Sequence, residues 1–271
     1  MLGLGSTLIH SSHLEDSSFT PESISNISLW LACNTNITAD QDAGGTTVSH
    51  STTAGNMAQA DRINAWNGAG STSINAVQTT SADKPRWETS TGNLGGLRSA
   101  SQNKHMDLSG SIKFNANQDF TILMRFRPDD VSNARAFMGD TSSEFIRNQD
   151  ADTIRIKTDG TTSDFDSGTA LEDEKTITMI IVRSDGATGN INIFMRSAES
   201  GYFDGTAAGT AFGSTAQDAE EIIISNIMAA NDNAQEFDGN VYDVIIYGGT
   251  AVTAAQREQL FDYIEGQDFP Q

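Results

Sequence analysis

The segment 237–264, near the end of the chain, constrains the fold more than any other part of the sequence. It contains an apolar run, 241–247, that is entered through Asp238-Gly239 and left through Gly248-Gly249. Turn residues on both sides of such a run predict a β-strand. Residues 253–264 then predict one helix. A last strand followed by a single helix is typical of the end of an all-β sandwich.

The boundaries of this helix can be predicted from its capping residues. Thr253 with Gln256 three residues later forms a capping-box pattern, in which each side chain satisfies a backbone donor at the helix start. Gly266 is a typical stop signal. One stripe of the helix is apolar, which predicts that it packs against the body of the protein. The residues of this stripe are Leu260, Phe261 and Ile264.

Apolar residues recur at every second position over much of the chain, as in half-buried strands. The predicted core residues of this kind are Phe120, Ile122, Met124, Phe126, Ile191, Ile193, Val244 and Ile246. Runs at 177–182, 222–224 and 244–246 have apolar residues on both faces. Such runs predict strands that are covered on both sides.

Several segments resemble, in the same order, those of a known superfamily. They are 28–32 (SLWLA), 62–70 (RINAWNGAG), 84–87 (KPRW), 119–122 (DFTI) and 237–247. Over residues 25 to 267 the chain resembles concanavalin A-like lectin/glucanase domains, the laminin-G-like jelly rolls. The resemblance implies a two-sheet antiparallel jelly-roll sandwich over residues 25–271, as a single domain with a short C-terminal helix.

Residues 1–24 differ from the rest of the chain. Their apolar residues are Leu2, Leu4, Leu8 and Ile9, separated by Gly, Ser and His. Because this pattern sustains neither a helix nor a strand, we predict an extended N-terminal arm that lies outside the sandwich and contacts another subunit. Met1–Gly5 lacks a basic start and a long apolar run, so neither a signal peptide nor a transmembrane span is expected.

Charge excludes some classes of partner. The chain has 16 Lys and Arg against 36 Asp and Glu, a formal net charge of -20. This charge repels phosphate backbones and anionic membranes, so we expect neither nucleic acid nor membrane as a partner. The acidity fits solubility in a salty medium or, as the alternative, metal binding. The single cysteine, Cys33, cannot form an intrachain disulfide, so stability must come from packing.

The sequence shows no carboxylate pair for glycoside hydrolysis. The resemblance to glucanases implies two acids on one strand in the pattern E-x-D-x-x-E, since retaining hydrolysis needs carboxyl groups about 5–5.5 Å apart. The nearest acidic run is Glu172-Asp173-Glu174. Consecutive residues of a strand point to opposite faces, and the flanking residues predict a loop. We therefore expect no enzyme activity.

Calcium is the cofactor that the resemblance allows, because related domains often bind it at the rim of the sandwich. The candidate ligands are Asp129, Asp130, Asp164 and Asp166. Calcium requires several oxygen ligands, and these residues have no spacing specific for it. The alternative is that each is a solvated turn residue. The prediction is no cofactor, with calcium as the open alternative.

Glycan binding would need an aromatic platform beside polar groups. The candidates are Trp66, Trp87, Tyr202 and Phe203. The alternative for Trp66 and Trp87 is that the rings pack between the sheets, as at similar positions of the superfamily.

Two functions are consistent with these sequence features. The first is a non-enzymatic virion structural protein, a capsid-decorating or appendage module that contacts other particle subunits or further copies of itself and is assembled in the host cytoplasm. It rests on the missing signal peptide and catalytic pair, and on the resemblance of Met1–Gly5 to openings of tailed-phage structural proteins. The second is a carbohydrate-binding module of a tail fibre, or a soluble lectin, that binds surface glycans.

Overall fold

The structure is a computed structural model that describes ten ranges of the chain. These ranges are 19–32, 35–51, 57–88, 95–99, 104–159, 161–166, 171–184, 191–197, 220–230 and 235–266.

In these ranges the chain forms seventeen strands, a short 3-10 helix at Pro21–Ser23 and one α-helix, α1, at Ala254–Glu265. The strands are β1 Ile27–Leu31, β2 Ile37–Gln41, β3 Thr47–Ser51, β4 Arg62–Trp66, β5 Ala76–Val77, β6 Arg86–Glu88, β7 Gly96–Ser99, β8 Met106–Phe114, β9 Phe120–Pro128, β10 Arg135–Thr141, β11 Glu144–Asp150, β12 Thr153–Thr158, β13 Thr161–Asp166, β14 Ile177–Arg183, β15 Ile191–Arg196, β16 Ile222–Ile227 and β17 Gly239–Gly248.

The first sheet has the strand order β15-β14-β9-β17, and all of its pairs are antiparallel. The far edge of β17 is shared by two strands. Its first residues, 239–241, pair with β7, and its residues 244–247 pair with β1. We call this the front sheet.

The second sheet, the back sheet, has the antiparallel order β13-β12-β11-β10-β16-β8-β5. The two sheets join through β4, which pairs with a different strand at each of its ends. Ala65 and Trp66 pair with β5, whereas Arg62 pairs with β6. Strand β6 in turn pairs with β7, so the sandwich is closed along this side.

The main core lies between the two sheets. All eight core residues predicted from the alternation are buried in one apolar cluster, so the predicted register is confirmed. Phe126 packs against Phe137 and Phe237, with ring centroids 4.7 and 5.8 Å away. The antiparallel sandwich is confirmed as the fold.

Helix α1 is confirmed with the predicted caps. The Thr253 hydroxyl accepts from the Gln256 backbone N–H at 3.3 Å, and the Thr253 N–H donates to Gln256 Oε1 at 2.9 Å. The predicted stripe of Leu260, Phe261 and Ile264 is buried on the outer side of the front sheet. This contact explains why 177–182 and 244–246 are apolar on both sides. No helix among the described residues is long and apolar enough to cross a membrane.

The start of the described chain packs on the body. Phe19 lies edge-on to Tyr263, with ring centroids 6.1 Å apart, and Ile24 is buried. The hydroxyl of Tyr247 donates to the Pro21 carbonyl at 2.9 Å. The predicted boundary of the arm, after residue 24, is therefore corrected to a point before Phe19. The arm residues Leu2, Leu4, Leu8 and Ile9 lie outside the described ranges.

Candidate functional site

The tryptophans predicted as a glycan platform belong to the core. Trp66 is fully buried and Trp87 is only 5% exposed, and both lie in the apolar cluster between the sheets. The Trp66 indole N–H donates to the Ala32 carbonyl at 3.0 Å. Neither ring can stack on a sugar, so this prediction is corrected in favour of the packing alternative. Tyr202 and Phe203 lie outside the described residues.

Two of the four acidic calcium candidates have local partners of their own. Asp130 accepts from the backbone and hydroxyl of Ser132, which lower its pKa together with Asn133. Asp164 accepts two bonds from the guanidinium of Arg155, at 2.6 and 2.7 Å, which lowers the pKa of Asp164. Each of these carboxylates is used within its own strand pair or turn.

The structure does not bring the four candidates together. Asp166 is exposed at the end of β13, and Asp129 lies on another part of the sandwich, beside Arg98. Over the ranges that can be described, no three His, Cys, Asp or Glu side chains form a group that could hold a metal ion.

The acidic run at 172–174 is a loop, as predicted. Asp173 Oδ1 accepts from the backbone N–H of Val131 at 2.7 Å, and Glu174 has a positive φ of 60°. The side chains of Glu172 and Glu174 are exposed. The hydrogen bond between Val131 and Asp173 therefore joins the loop after β9 to the loop before β14.

A line of arginines crosses the outer side of the sandwich where its strands β4, β6, β7, β17 and β9 lie side by side. Arg62, Arg86 and Arg98 are direct partners on β4, β6 and β7. Arg98 is opposite Asn240 of β17, and Asn240 is opposite Arg127 of β9. We call Arg62, Arg86, Arg98 and Arg127, with Asn240 between the last two, the arginine row.

Alternation along each strand sets the direction of these side chains. Their neighbours Ile63, Trp87, Leu97 and Val241 are buried between the sheets. Because successive side chains of a strand point to opposite faces, the arginine row must point outward.

Like charges at directly opposed positions destabilise a sheet, so the arginine row needs compensating groups. Arg98 donates to Glu88 Oε2 at 3.2 Å and to Asp129 Oδ2 at 2.6 Å. The second carboxylate oxygen of Asp129 lies 3.8 Å from Nη1 of Arg127. Arg127 also lies 3.6 Å from the carboxylate of Glu174. One aspartate thus connects two members of the arginine row.

A glycine at the start of β17 brings Asn240 to its place. Gly239 has a φ of +137°, and a Cβ at this position would lie 2.2 Å from the Arg127 carbonyl oxygen. Only glycine allows this approach of the two backbones. The predicted turn at Asp238-Gly239 therefore has a role in placing the arginine row.

Arg86 differs from the other members of the arginine row. Arg62 donates to the hydroxyl of Ser81 at 2.8 Å, whereas Arg86 is exposed and has no hydrogen-bond or ion-pair partner among the described residues. It lies between two other arginines. Its side chain is exposed to solvent.

The electrostatics of Asp129 follow from its partial burial. Burial raises the pKa of Asp129, and the guanidinium of Arg98 opposes this only in part, while Asp238 adds to the rise. A partly desolvated carboxylate gains from an additional hydroxyl donor. Arg98 remains reachable from solvent, with 29% of its side chain exposed.

Arg62, Arg86 and Arg98 therefore bring donors to this part of the outer side, beside the carboxylates of Glu88 and Asp129, whereas Arg127 and Asn240 are buried. Guanidinium groups donate through several N–H groups, and Glu88 and Asp129 accept. Charge-assisted hydrogen bonds of this kind suit the vicinal hydroxyls of a saccharide, each of which donates and accepts.

Sequence reasoning missed this site. Arg62 and Arg86 lie inside two of the segments that resemble the superfamily, and each precedes a buried residue, which places both on an outer face. Their positions side by side depend on the pairing of β4, β6 and β7. Nothing in the spacing of residues 62, 86 and 98 indicates that pairing.

Comparisons with known proteins agree with the fold. The sequence model of the concanavalin A-like lectin/glucanases superfamily matches residues 100–256. A search of curated proteins finds no match. Among solved structures, an arabinofuranosidase complexed with arabinofuranosyl-alpha-1,2-xylobiose is 12% identical with a TM-score of 0.56. The alignment covers 90% of this chain and 60% of the arabinofuranosidase.

Two further solved structures are similar at lower scores. Domain 4 of an extracellular arabinanase from Geobacillus stearothermophilus, in complex with arabinotriose, is 12% identical with a TM-score of 0.45, over 85% of this chain and 96% of that domain. A CBM40 domain of a Ruminococcus gnavus sialidase, bound to alpha2,3 sialyllactose, is 11% identical with a TM-score of 0.33, over 56% of this chain and 92% of that domain.

Proposed function

Because the chain belongs to the concanavalin A-like lectin/glucanase superfamily, we propose that it is a non-catalytic saccharide-binding module and that the arginine row is its binding face. Fold alone does not decide function, so the proposal rests on the site. The observation that carries it is the exposed Arg86, which has no side-chain partner among the described residues and lies between Arg62 and the Arg98 network. This arrangement offers free donors beside oriented acceptors.

Each side chain of the arginine row has a part in the proposed binding. Arg86 donates to hydroxyl and ring oxygens of the sugar. Glu88 and Asp129 accept from hydroxyl groups, and Arg98 holds both carboxylates in place because it already bonds to each of them. The acceptors are thus positioned before the ligand arrives, which reduces the ordering cost of binding.

The same geometry supports a binding role rather than hydrolysis. Hydrolysis needs two carboxyl groups on either side of the scissile bond, with room for it between them. Here the guanidinium of Arg98 lies between Glu88 and Asp129 and bonds to both. We expect the purified protein to leave laminarin, agarose and alginate intact. Turnover that is lost on replacing Glu172, Asp173 or Glu174 would contradict the non-catalytic assignment.

Affinity electrophoresis tests the binding face. The native protein, the Arg86→Ala variant and the Lys113→Ala variant would be run in gels that contain arabinan, arabinoxylan, laminarin, agarose or alginate. Lys113 is an exposed cation on β8 of the back sheet, so it controls for loss of one positive charge. We expect Arg86→Ala to weaken binding about tenfold, as loss of a hydrogen bond from a charged donor does. Lys113→Ala should bind like the native protein.

Equal binding by the native protein and Arg86→Ala would remove the arginine row from the proposal. No retardation of the native protein by any of the polysaccharides would contradict the saccharide-binding function itself. Thermal unfolding of each variant shows whether a loss of binding comes from a loss of fold.

We further propose that the module is displayed on a virus particle, as a capsid-decorating or appendage protein that is assembled in the host cytoplasm. The N-terminal segment would join it to other particle subunits or to further copies of the chain. The packing of Phe19 on Tyr263 and the bond from Tyr247 to Pro21 support this, because they fix the point where that segment meets the body. Burial raises the pKa of Tyr247 above its ordinary value.

Deletion of residues 1–18 tests the assembly role. The deletion ends before Phe19 so that the contacts with Tyr263 and Tyr247 are kept. We expect an unchanged circular dichroism spectrum and loss of incorporation into the particle or oligomer. A second variant, with Leu2, Leu4, Leu8 and Ile9 all replaced by Ser, keeps the chain length and should also fail to incorporate. Full incorporation of both variants would refute the assembly role.

A further inference from the structure

A second group of cationic side chains lies on the outer side of the back sheet, on β11 and β12. Arg147 and Arg155 are direct partners, and Phe145 is the partner of Lys157. The intervening residues Ile146, Ile154 and Ile156 are buried between the sheets, so all four side chains point outward. We call Phe145, Arg147, Arg155 and Lys157 the cationic face.

Charge on the cationic face is not balanced. Arg155 is paired with Asp164, but Arg147 donates to the side-chain oxygens of Gln149, at 2.5 Å, and of Gln235. Lys157 donates to the backbone carbonyl of Ser142 at 2.9 Å. These acceptors are neutral. Among the residues that the structure describes, neither Arg147 nor Lys157 forms an ion pair at 4 Å or less, although the charge of Asp164, the partner of Arg155, also acts on Arg147.

Three other arginines of the protein form ion pairs. Arg98, Arg127 and Arg196 each contact at least one carboxylate at 4 Å or less. With 36 acidic residues against 16 basic ones, a carboxylate is the commoner partner for a cation in this chain. Arg147 and Lys157 are thus two neighbouring cations whose hydrogen bonds go to neutral acceptors. Burial, and after it the charge of Arg155, lowers the pKa of Arg147, while the charge of Asp164 opposes this.

The cationic face is also built to hold Arg147 in one position. Its guanidinium carbon lies 4.4 Å from the centre of the Phe145 ring, and the Lys157 ammonium lies 5.8 Å from the same centre. Such cation–π contacts orient a guanidinium without neutralising it. Phe145 is fixed by Gly139, where an added Cβ would lie 3.0 Å from the Cβ of Phe145 and 2.5 Å from the Glu144 carbonyl oxygen.

We propose that the cationic face is a second binding site, for the carboxylate or sulfate group of an acidic saccharide, with Arg147 as its main contact. A guanidinium binds such groups through two parallel hydrogen bonds. Lys157 adds a second positive charge. Arg155 can also bind the anionic group if its hydrogen bonds to Asp164 are replaced by hydrogen bonds to the ligand. The choice of a saccharide rests on the proposed function, but the site and its residues are independent of the arginine row.

The net charge of -20 restricts the kind of ligand. A second copy of the chain, or a densely charged polymer, would be repelled by the rest of the surface, within a screening length of about 8 Å at physiological salt. An isolated anionic group on an otherwise neutral saccharide avoids most of this repulsion and still meets Arg147. We therefore expect a ligand of low charge density.

The experiment compares three probes that differ in one group. They are xylotetraose, xylotetraose with one glucuronic acid branch, and xylotetraose with one sulfate group. Titration followed by NMR would give the affinity of each for the native protein, Arg147→Gln, Arg147→Lys, Arg86→Gln and Lys113→Gln. Lys113→Gln removes one charge from the same sheet, and Arg86→Gln alters only the arginine row.

The native protein should bind at least one charged probe about tenfold more tightly than the neutral one, since hydrogen bonds to charged groups are the strong ones. Arg147→Gln should abolish that difference, and Arg147→Lys should keep part of it. Lys113→Gln should leave it unchanged. Arg86→Gln should weaken binding of the neutral probe and leave the affinity of the charged probe for the cationic face unchanged. The carboxylate and sulfate probes distinguish which group the site prefers.

Equal binding of charged and neutral probes by the native protein, or an unchanged difference in Arg147→Gln, would overturn this inference. So would self-association in sedimentation that Arg147→Gln removes, because the face would then bind another copy. Binding of neutral xylotetraose that depends on Arg86 tests the proposed function separately. A variant that unfolds early in thermal melting is replaced in the comparison by Lys157→Gln, for which a smaller loss of the same kind is expected.

Discussion

The outer sides of β9 and β17 have two halves that differ in their contacts. In one half Leu123, Ile245 and Tyr247 are apolar and packed against helix α1. In the other half Arg127 and Asn240 belong to the arginine row. The same two strands form both halves, with the same alternation and the same core behind them.

Arg125 lies at the boundary between the two halves, at the end of helix α1. Arg125 is 5% exposed, and its guanidinium donates to the Ile264 carbonyl at the end of α1 at 2.8 Å. A cation at a helix C-terminus is favourable because the last carbonyls lack partners. Past this point the sheet has no apolar stripe for a helix to cover. Its charged side chains are paired with one another instead, and those pairs can be exchanged for a ligand.

Removing a large apolar group from the helix-covered half should have the largest effect on stability. We expect Phe261→Ala to lower the free energy of unfolding by about 3–5 kcal/mol, because the ring is 1% exposed and leaves a cavity under the helix. Saccharide affinity should not change in the fraction that remains folded. Urea unfolding measures the first quantity and affinity electrophoresis the second.

The exposed Gln259 on the same helix gives the matched control, since Gln259→Ala should change stability by less than about 0.5 kcal/mol. A loss of saccharide affinity in folded Phe261→Ala would show that the two halves are not independent.

Asp129 is the residue at which stability and binding should fall together. Asp129→Ala leaves Arg98 and Arg127 without their shared carboxylate and removes an acceptor from the proposed binding face. We expect a loss of stability of about 1–2 kcal/mol, reduced from the full cost of a buried charge because Asp129 is partly solvated. Saccharide binding should become undetectable. Asp129→Asn, which keeps an acceptor oxygen, should show a smaller loss of both.

If Asp129→Ala binds saccharide like the native protein, the arginine row beyond Arg98 takes no part in recognition. A loss of stability as large as that of Phe261→Ala would mean that the row serves the fold rather than the ligand.

The helix-covered half could be predicted from the sequence. Its apolar positions repeat with the periods of a strand and a helix, and Thr253 with Gln256 marks the helix start. These signals are local, so a single sequence contains them in full. The core residues from Phe120 to Phe126 were predictable for the same reason.

The arginine row could not be predicted in the same way. Arg62 and Arg127 are 65 positions apart in the numbering, and their alignment comes from four strand pairings that no local pattern specifies. The tryptophans misled for a related reason. Trp66 and Trp87 were candidates as aromatic residues beside polar ones, but both rings face the core, and the alternation of β6 turns Arg86, the residue before Trp87, outward. In β6, therefore, the proposed binding residue Arg86 is the immediate neighbour of the predicted residue Trp87.

The smallest effect we expect is a difference in acid titration between the two charged regions. Burial raises the pKa of Asp129 in the arginine row, whereas the hydrogen bonds from Arg155 lower the pKa of Asp164 on the cationic face. The unfolded value for both is about 3.9. Asp129 binds its proton more tightly when folded, so its contribution to stability rises as the pH falls through its folded pKa. Asp164 stabilises the fold above about 3.9 and loses this contribution as the pH falls through its lower folded pKa.

Acidification from neutral pH should thus disconnect Arg98 from Asp129 while Arg155 still holds Asp164. Saccharide binding that depends on Arg86 should weaken at a pH where binding of a sulfate probe to the cationic face is unchanged. Carbon-13 NMR of the aspartate carboxyl groups gives both titrations. The variants Asp129→Asn and Asp164→Asn each lack one signal and so assign the signals to the two residues. If Asp129 titrates at the same pH as Asp164 or below it, then solvent reaches the Arg98 network as freely as the outer side of the back sheet. The acceptors of the proposed binding face would then gain little from a hydroxyl donor.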